Sequence, residues 1–236
     1  MKLIKICEYK GTITLKSGLH IGSGNMEMHI GGTDSPVIMH PHSREPYIPG
    51  SSIKGKTRSL LEMESGFMAF TGGRPLSAKD LQKALDAAME AKGTAIVKFF
   101  GLGGSDQDDS ATFGPTRVSF ADCYLNSAWK EKAKANRWLL TEVKSEVSID
   151  RVSGTASRGG PRFIERVPEG TVFDFTVSFK VLFEGEKELF EGLLFKGLKL
   201  IEMDALGGSG SRGYGRVQFL FGDSGVQERF TACNPF

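Results

Sequence analysis

With 236 residues, 25% of them charged and 39% hydrophobic, the chain has the size of one large domain and enough apolar side chains for a substantial core. No apolar run is long enough to span a bilayer, no basic-then-apolar leader follows Met1, and the three cysteines, Cys7, Cys123 and Cys233, are too scattered for a disulfide framework or a CxxC metal site. A soluble protein of a reducing cytoplasm is expected, and a net charge of +2 sets aside a uniformly basic nucleic-acid binder, so any such role must rest on local clusters.

The first predicted element is a strand from Tyr9 to Lys16, where Tyr9, Gly11, Ile13 and Leu15 alternate with Lys10, Thr12, Thr14 and Lys16. Ile53, Thr57, Leu60 and Leu61 then recur at helical spacing. Residues 66–114 read as an insertion, with a helix from Ala78 to Met89 set among Gly, Ser and Asp, and with Gly103 to Ser110 as its most flexible part. A short strand covers Arg117 to Phe120. Lys144 to Pro168 has little apolar periodicity yet carries Arg151, Arg158, Arg162 and Arg166, the composition of a protruding hairpin. The strongest strand runs from Val172 to Phe183, with Phe173, Phe175, Val177, Phe179, Val181 and Phe183 on one side. A helix through Leu189, Phe190, Leu193, Leu194, Leu198 and Ile201, a strand from Arg216 to Phe221 and a polar, loosely held tail after Gly222 complete the chain. One-sided strands interleaved with two core helices imply an α+β fold. It is an antiparallel sheet, ferredoxin-like or RNA-recognition-like, with helices on one face and the other open to RNA. Residues 1–236 thus read as a single domain carrying a helical insertion at 66–114 and a hairpin at about 144–168.

Four clusters could carry chemistry. Pro49 to Arg58 reads as a turn into a helix start in which Ser51, Ser52, Lys54, Lys56 and Arg58 precede any acid, the wrong sign for the positive end of a helix. A bound phosphate would resolve the conflict, with free backbone N–H groups, two hydroxyls and three cations around it; a solvated basic face is the alternative. Gly208, Gly210 and Gly213 form a GxGxxG, but a helix precedes it, a strand follows it and the chain almost ends, which excludes a dinucleotide fold. What remains is either a flexible connection or a loop whose amides at Gly208, Ser209, Gly210 and Ser211, with Arg212, cradle a phosphate. In the hairpin, residues 151–164 hold three arginines and no acid, with Val152, Phe163 and Ile164 as possible wedges between bases. Asp34, in Thr33-Asp34-Ser35-Pro36, is a turn residue or, if functional, a ligand for a hard cation such as magnesium or manganese. His40-Pro41-His42 is too sparse for zinc, and His20 in Gly18-Leu19-His20-Ile21-Gly22 is either structural or an RNA contact.

Taken in order, Ser17 to Gly22, Asp34 to Ile38, Tyr47 to Lys56, Glu146 to Arg151 and Leu206 to Gly215 resemble the backbone subunits of the type III-A CRISPR effector, the Csm complex, in the RAMP superfamily. The resemblance implies a subunit whose copies stack head to tail along a CRISPR guide RNA beside other effector subunits, with no membrane. It also implies that the hairpin is a thumb pressed into the guide–target duplex and that the helix start, the glycine loop, His20 and Arg151 contact guide RNA. Asp34 would then be the residue that cuts target RNA at regular intervals with a divalent metal. Two rivals stand beside it: a scaffold that binds guide RNA without cutting, and a stand-alone ribonuclease that processes the guide precursor. The second is disfavoured by the lack of a clustered His, Tyr or Lys set for acid–base chemistry.

Overall fold

Alternation builds the centre of the fold. A computed structural model describes residues 1–24, 35–102, 110–157 and 160–236. In it β1 (Lys5–Leu15) and β5 (Val172–Val181) pair antiparallel from Lys5↔Val181 to Thr14↔Val172. Because side chains alternate across a strand, this register turns Tyr9, Ile13, Leu15, Phe173, Phe175, Val177 and Phe179 to the same buried side. β2 (Val118–Phe120) adds to the free side of β5 and β6 (Val217–Phe221) to that of β1, giving the order β2-β5-β1-β6. With α1 (Gly50–Glu64) between β1 and β2, and α7 (Glu186–Met203) between β5 and β6, the connectivity and order are those of a ferredoxin-like sheet, as expected.

Both helices lie on the buried face. Ile53, Leu60 and Leu61 of α1 and Phe190, Leu194, Leu198 and Ile201 of α7 join the strand phenylalanines in one core. The helices cross closely at Gly197, where a Cβ would lie 2.3 Å from Thr57 Cγ2. The opposite face carries Thr12, Thr14, Asp174, Thr176, Ser178 and Gln218. Among the described strand residues none turns an aromatic ring to that face. It therefore offers no base-stacking platform of the RNA-recognition kind.

Several expectations are corrected. The helix from Ala78 to Met89 is two helices, α3 (Ala78–Leu81) and α4 (Ala87–Phe100). Asp86 accepts a hydrogen bond from Met89 N at 2.7 Å and so starts a new helix where the apolar spacing suggested continuation. Within the insertion, α4 packs into the main core: the Phe99 ring lies 5.1 Å from that of Phe190 and 5.8 Å from that of Phe179. The insertion also contains α2 (Met68–Thr71) and α5 (Ser110–Phe113). Most of the stretch read as flexible, residues 103–109, lies outside the described residues. Between β2 and the hairpin an unanticipated helix, α6 (Ser127–Ala135), starts at Asn126, whose side chain accepts from Trp129 N. The tail is not loose. α8 (Ser224–Ala232), capped by Asp223, buries Phe230 against Phe195 and Phe221 at centroid separations of 5.6 and 5.1 Å.

Replacing either cap, Asn126→Ala or Asp223→Ala, is expected to lower stability by about 1 kcal/mol, read as an earlier urea midpoint at unchanged slope. Among the described residues no helix is long and apolar enough to cross a membrane.

Candidate nucleic-acid interface

The glycine loop is held at both ends and open in the middle. Leu206 N donates to Gly215 O, Gly208 N to His20 O and Gly215 N to Gly18 O, at 2.8 to 2.9 Å. Gly215 has φ +71°, and a Cβ there would sit 1.9 Å from the Leu206 carbonyl oxygen, so only glycine fits. Between these anchors a single 3-10 turn spans Gly210–Arg212, with Ser209 at φ +59° and Gly213 at φ +83°. Among the described residues, the N–H groups of Ser209, Gly210 and Ser211 meet no acceptor. Three successive unpaired amides beside a half-exposed arginine are donors available to an anion.

The hairpin rises beside this loop. β3 (Glu142–Glu146) and β4 (Arg162–Arg166) form their own two-stranded sheet, from Glu142↔Arg166 to Glu146↔Arg162, as the composition predicted. A further bridge joins Ile149 to Ala156, and the Asp150 carboxylate accepts from the N–H groups of Val152 and Ser153 to tighten the tip. Arg151 is exposed there and Val152 is 99% exposed, whereas Arg158 lies outside the described residues. Ile164 is not a wedge. It is buried and bridges to Ser35, turned inward by the same alternation that leaves Phe163 half-exposed.

The root of the hairpin is fixed by charge. Glu146 accepts from the Tyr214 hydroxyl and from Arg212 Nη1, each at 2.8 Å, and these partners, Tyr214 foremost, hold its carboxyl below the usual range. Tyr214 is buried, with Lys144 Nζ 4.6 Å and the Arg166 guanidinium 5.0 Å from its ring centre. Burial, and then the Glu146 carboxylate, push its hydroxyl up to about 12. Neither Tyr214 nor Glu146 carries a sequence signal for this role beyond sitting inside the recognised motifs.

His20 ties three segments together. Its Nδ1 is 2.6 Å from Glu165 O, so that nitrogen carries the proton, and its Nε2, 3.2 Å from Ser35 Oγ, accepts from the serine hydroxyl. Glu165 in turn accepts from Val37 N at 2.9 Å. Both ring nitrogens are thus used inside the fold. Asp34 lies outside the described residues; its neighbour Ser35 is bonded to the hairpin root through His20, the Glu165 amide and Ile164.

At the start of α1 the expected anion is partly supplied by the chain: Gly50 N donates to Asp122 Oδ1 at 2.8 Å. Ser51 is exposed and Ser52 half-buried, and the N-cap residue Pro49 makes no side-chain cap bond. The three cations part company. Lys56 pairs with Asp204 at 2.6 Å, and Arg58 is spent on Glu62, Leu76 O and Gly101 O, clamping α1 to the insertion. Lys54, half-buried beside Arg58 and without an acidic partner among the described residues, has its ammonium pKa lowered by burial and then by that arginine. It is the cation of this set with most to gain from a phosphate. His40 accepts from the His42 and Ser43 amides as a loop residue, and among the described residues no three His, Cys, Asp or Glu side chains gather as a metal site.

Comparison with known proteins identifies the family. The family model described as RAMP superfamily matches residues 12–218. Proteins described as "CRISPR system Cms endoribonuclease Csm3" are similar throughout. That of Methanocaldococcus jannaschii is 40% identical over 89% of this chain and 77% of its own length, and that of Streptococcus thermophilus 36% over 90% and 86%. The Mycobacterium tuberculosis protein of the same description is 36% identical over 90% and 85%. Among solved structures, a Csm3-Csm4 subcomplex of the type III-A CRISPR-Cas interference complex aligns with TM-score 0.53 and 28% identity over 93% of this chain and 77% of that one. A type III-B Cmr-beta complex bound to cognate target RNA shares the fold, with TM-score 0.55 at 18% identity over 92% of this chain and 60% of that one. By the extent of these matches the chain belongs to the RAMP superfamily and, within it, to the Csm3 proteins of CRISPR systems.

Proposed function

We propose that this chain is the backbone subunit of a type III-A CRISPR effector, binding guide RNA as repeated head-to-tail copies and cutting complementary target RNA at regular intervals. One observation carries the reading. The open amides of the glycine loop, with Arg212, share a single joint with the root of the basic hairpin, and the residue after Asp34 is bonded to that same root. A surface able to hold guide phosphates, a projection able to enter a duplex and a carboxylate-bearing segment are thereby tied into one unit. Lys54, Ser51 and Ser52 at the start of α1 extend the phosphate-binding surface, and Arg151 reaches out from the hairpin tip. His20 and Arg58 support this surface from within rather than contacting RNA.

The cut would depend on magnesium or manganese. Among the described residues no ready-made cage forms; the ligand proposed is Asp34, with phosphate oxygens completing the shell. Such an ion stabilises charge on a scissile phosphate. Chelation is expected to stop cutting and leave target binding intact.

The test is a complex reconstituted on a guide with its other effector subunits and incubated with end-labelled complementary RNA and magnesium. A ladder of evenly spaced fragments is the expected result. Bound but intact target would instead mean a scaffold that organises the guide without cutting. Guide retention should also fall steeply with salt, since phosphate contacts release counterions.

A further inference from the structure

The joint between the glycine loop and the hairpin is built around one carboxylate with divided duties. Glu146 Oε1 accepts from the Tyr214 hydroxyl, with the Lys144 ammonium 3.6 Å away on the same oxygen, and Oε2 accepts from Arg212. The two partners differ in surroundings. Tyr214 is fully buried between Lys144 and Arg166, whereas the Arg212 side chain is 54% exposed and that of Glu146 17%. A hydrogen bond from a buried hydroxyl to a carboxylate resists exchange, because breaking it leaves a polar group unpaired away from water. An ion pair at the surface exchanges readily, because water and salt already compete for both charges. A phosphate arriving on the open amides of Ser209, Gly210 and Ser211 would therefore take Arg212 from Glu146 and leave the Tyr214 bond in place.

We propose that Glu146 is a positioning residue that couples guide binding to the hairpin: it fixes the hairpin root through Tyr214 and holds Arg212 until a guide phosphate displaces it. This rests on the reading that the glycine loop holds guide RNA. It assigns Glu146 effects of opposite sign. By competing for Arg212 it weakens guide binding, and by anchoring the hairpin it favours target cutting.

The experiment compares wild type, E146A, Y214F and R212A in the reconstituted complex, measuring guide retention across a salt series and the rate of target cutting. E146A is expected to hold the guide about threefold more tightly, the scale of one surface ion pair. Its cutting should slow by about tenfold or more, because a displaced projection misaligns the target. Y214F keeps the ring between Lys144 and Arg166 but loses the hydroxyl; it should slow cutting while retaining guide like the wild type. If E146A weakens guide retention and cutting together, or moves neither, Glu146 is an ordinary structural residue and the coupling is refuted. If the wild type retains no guide, or R212A retains it as well as the wild type does, the glycine-loop reading fails first and the coupling with it.

Discussion

In the reconstituted complex, D34N is expected to lose the ladder of target fragments, with cutting slowed on the order of 10³-fold or more and target binding unchanged. Asparagine keeps the shape of aspartate and removes only its charge, and with the charge goes the affinity of a single carboxylate for a hard cation. Guide and target should still assemble, because the residues proposed to hold them, the glycine loop, Lys54 and the hairpin, lie on other segments. The measurement is single-turnover cleavage of end-labelled target beside a filter-binding assay on the same preparation. A ladder that survives in D34N would remove Asp34 from the chemistry. Loss of target binding along with the ladder would make it a folding or binding residue instead.

The second large effect lies far from RNA. Phe230→Ala is expected to cost about 3–5 kcal/mol, the usual penalty for deleting a buried phenyl ring. At this chain length that corresponds to a melting temperature lower by roughly 10 °C. The ring fills the space between Phe195 and Phe221, with Lys199 Nζ 4.2 Å from its centre, so its removal opens a cavity under α8. Thermal unfolding followed by circular dichroism reads the shift, and amide exchange would show the protection of residues 224–232 falling with it. A loss below about 1 kcal/mol would mean that α8 contributes little to the fold.

Phe230 also shows where sequence reading ran out. The tail looked polar because one phenylalanine in nine helical residues leaves almost no periodic signal; its burial is decided by α7 and β6, which meet it from elsewhere in the chain. The long strands were legible for the opposite reason. In β5 every second residue from Phe173 to Val181 is apolar, and no other regular structure puts such a row on one side. Helix boundaries at Asp86 and Asn126 depend on a single cap each, which apolar spacing cannot see. The same division runs through the candidate site. The glycine loop and the basic hairpin stand out in composition, and the family motifs that contain them were readable in order. Which cations remain free was not. Arg58 and Lys54 sit one turn apart with equal claims on a phosphate, and only the folded chain shows that Arg58 is spent on Glu62 and two carbonyls. Likewise Tyr214 and Glu146 are 68 residues apart, so the joint they form is a property of topology.

The sheet's unequal strands have one more consequence. β1 and β5, of 11 and 10 residues, are flanked by strands of only five and three, and the stretch of β1 left uncovered by β6 displays Lys5, Glu8 and Lys10 around a single exposed apolar side chain, Ile6. Short borders and charged side chains make a poor template for another chain's backbone. Fusion of sheets between neighbouring molecules, the route to amyloid-like aggregation, is thereby disfavoured even where many copies are crowded together.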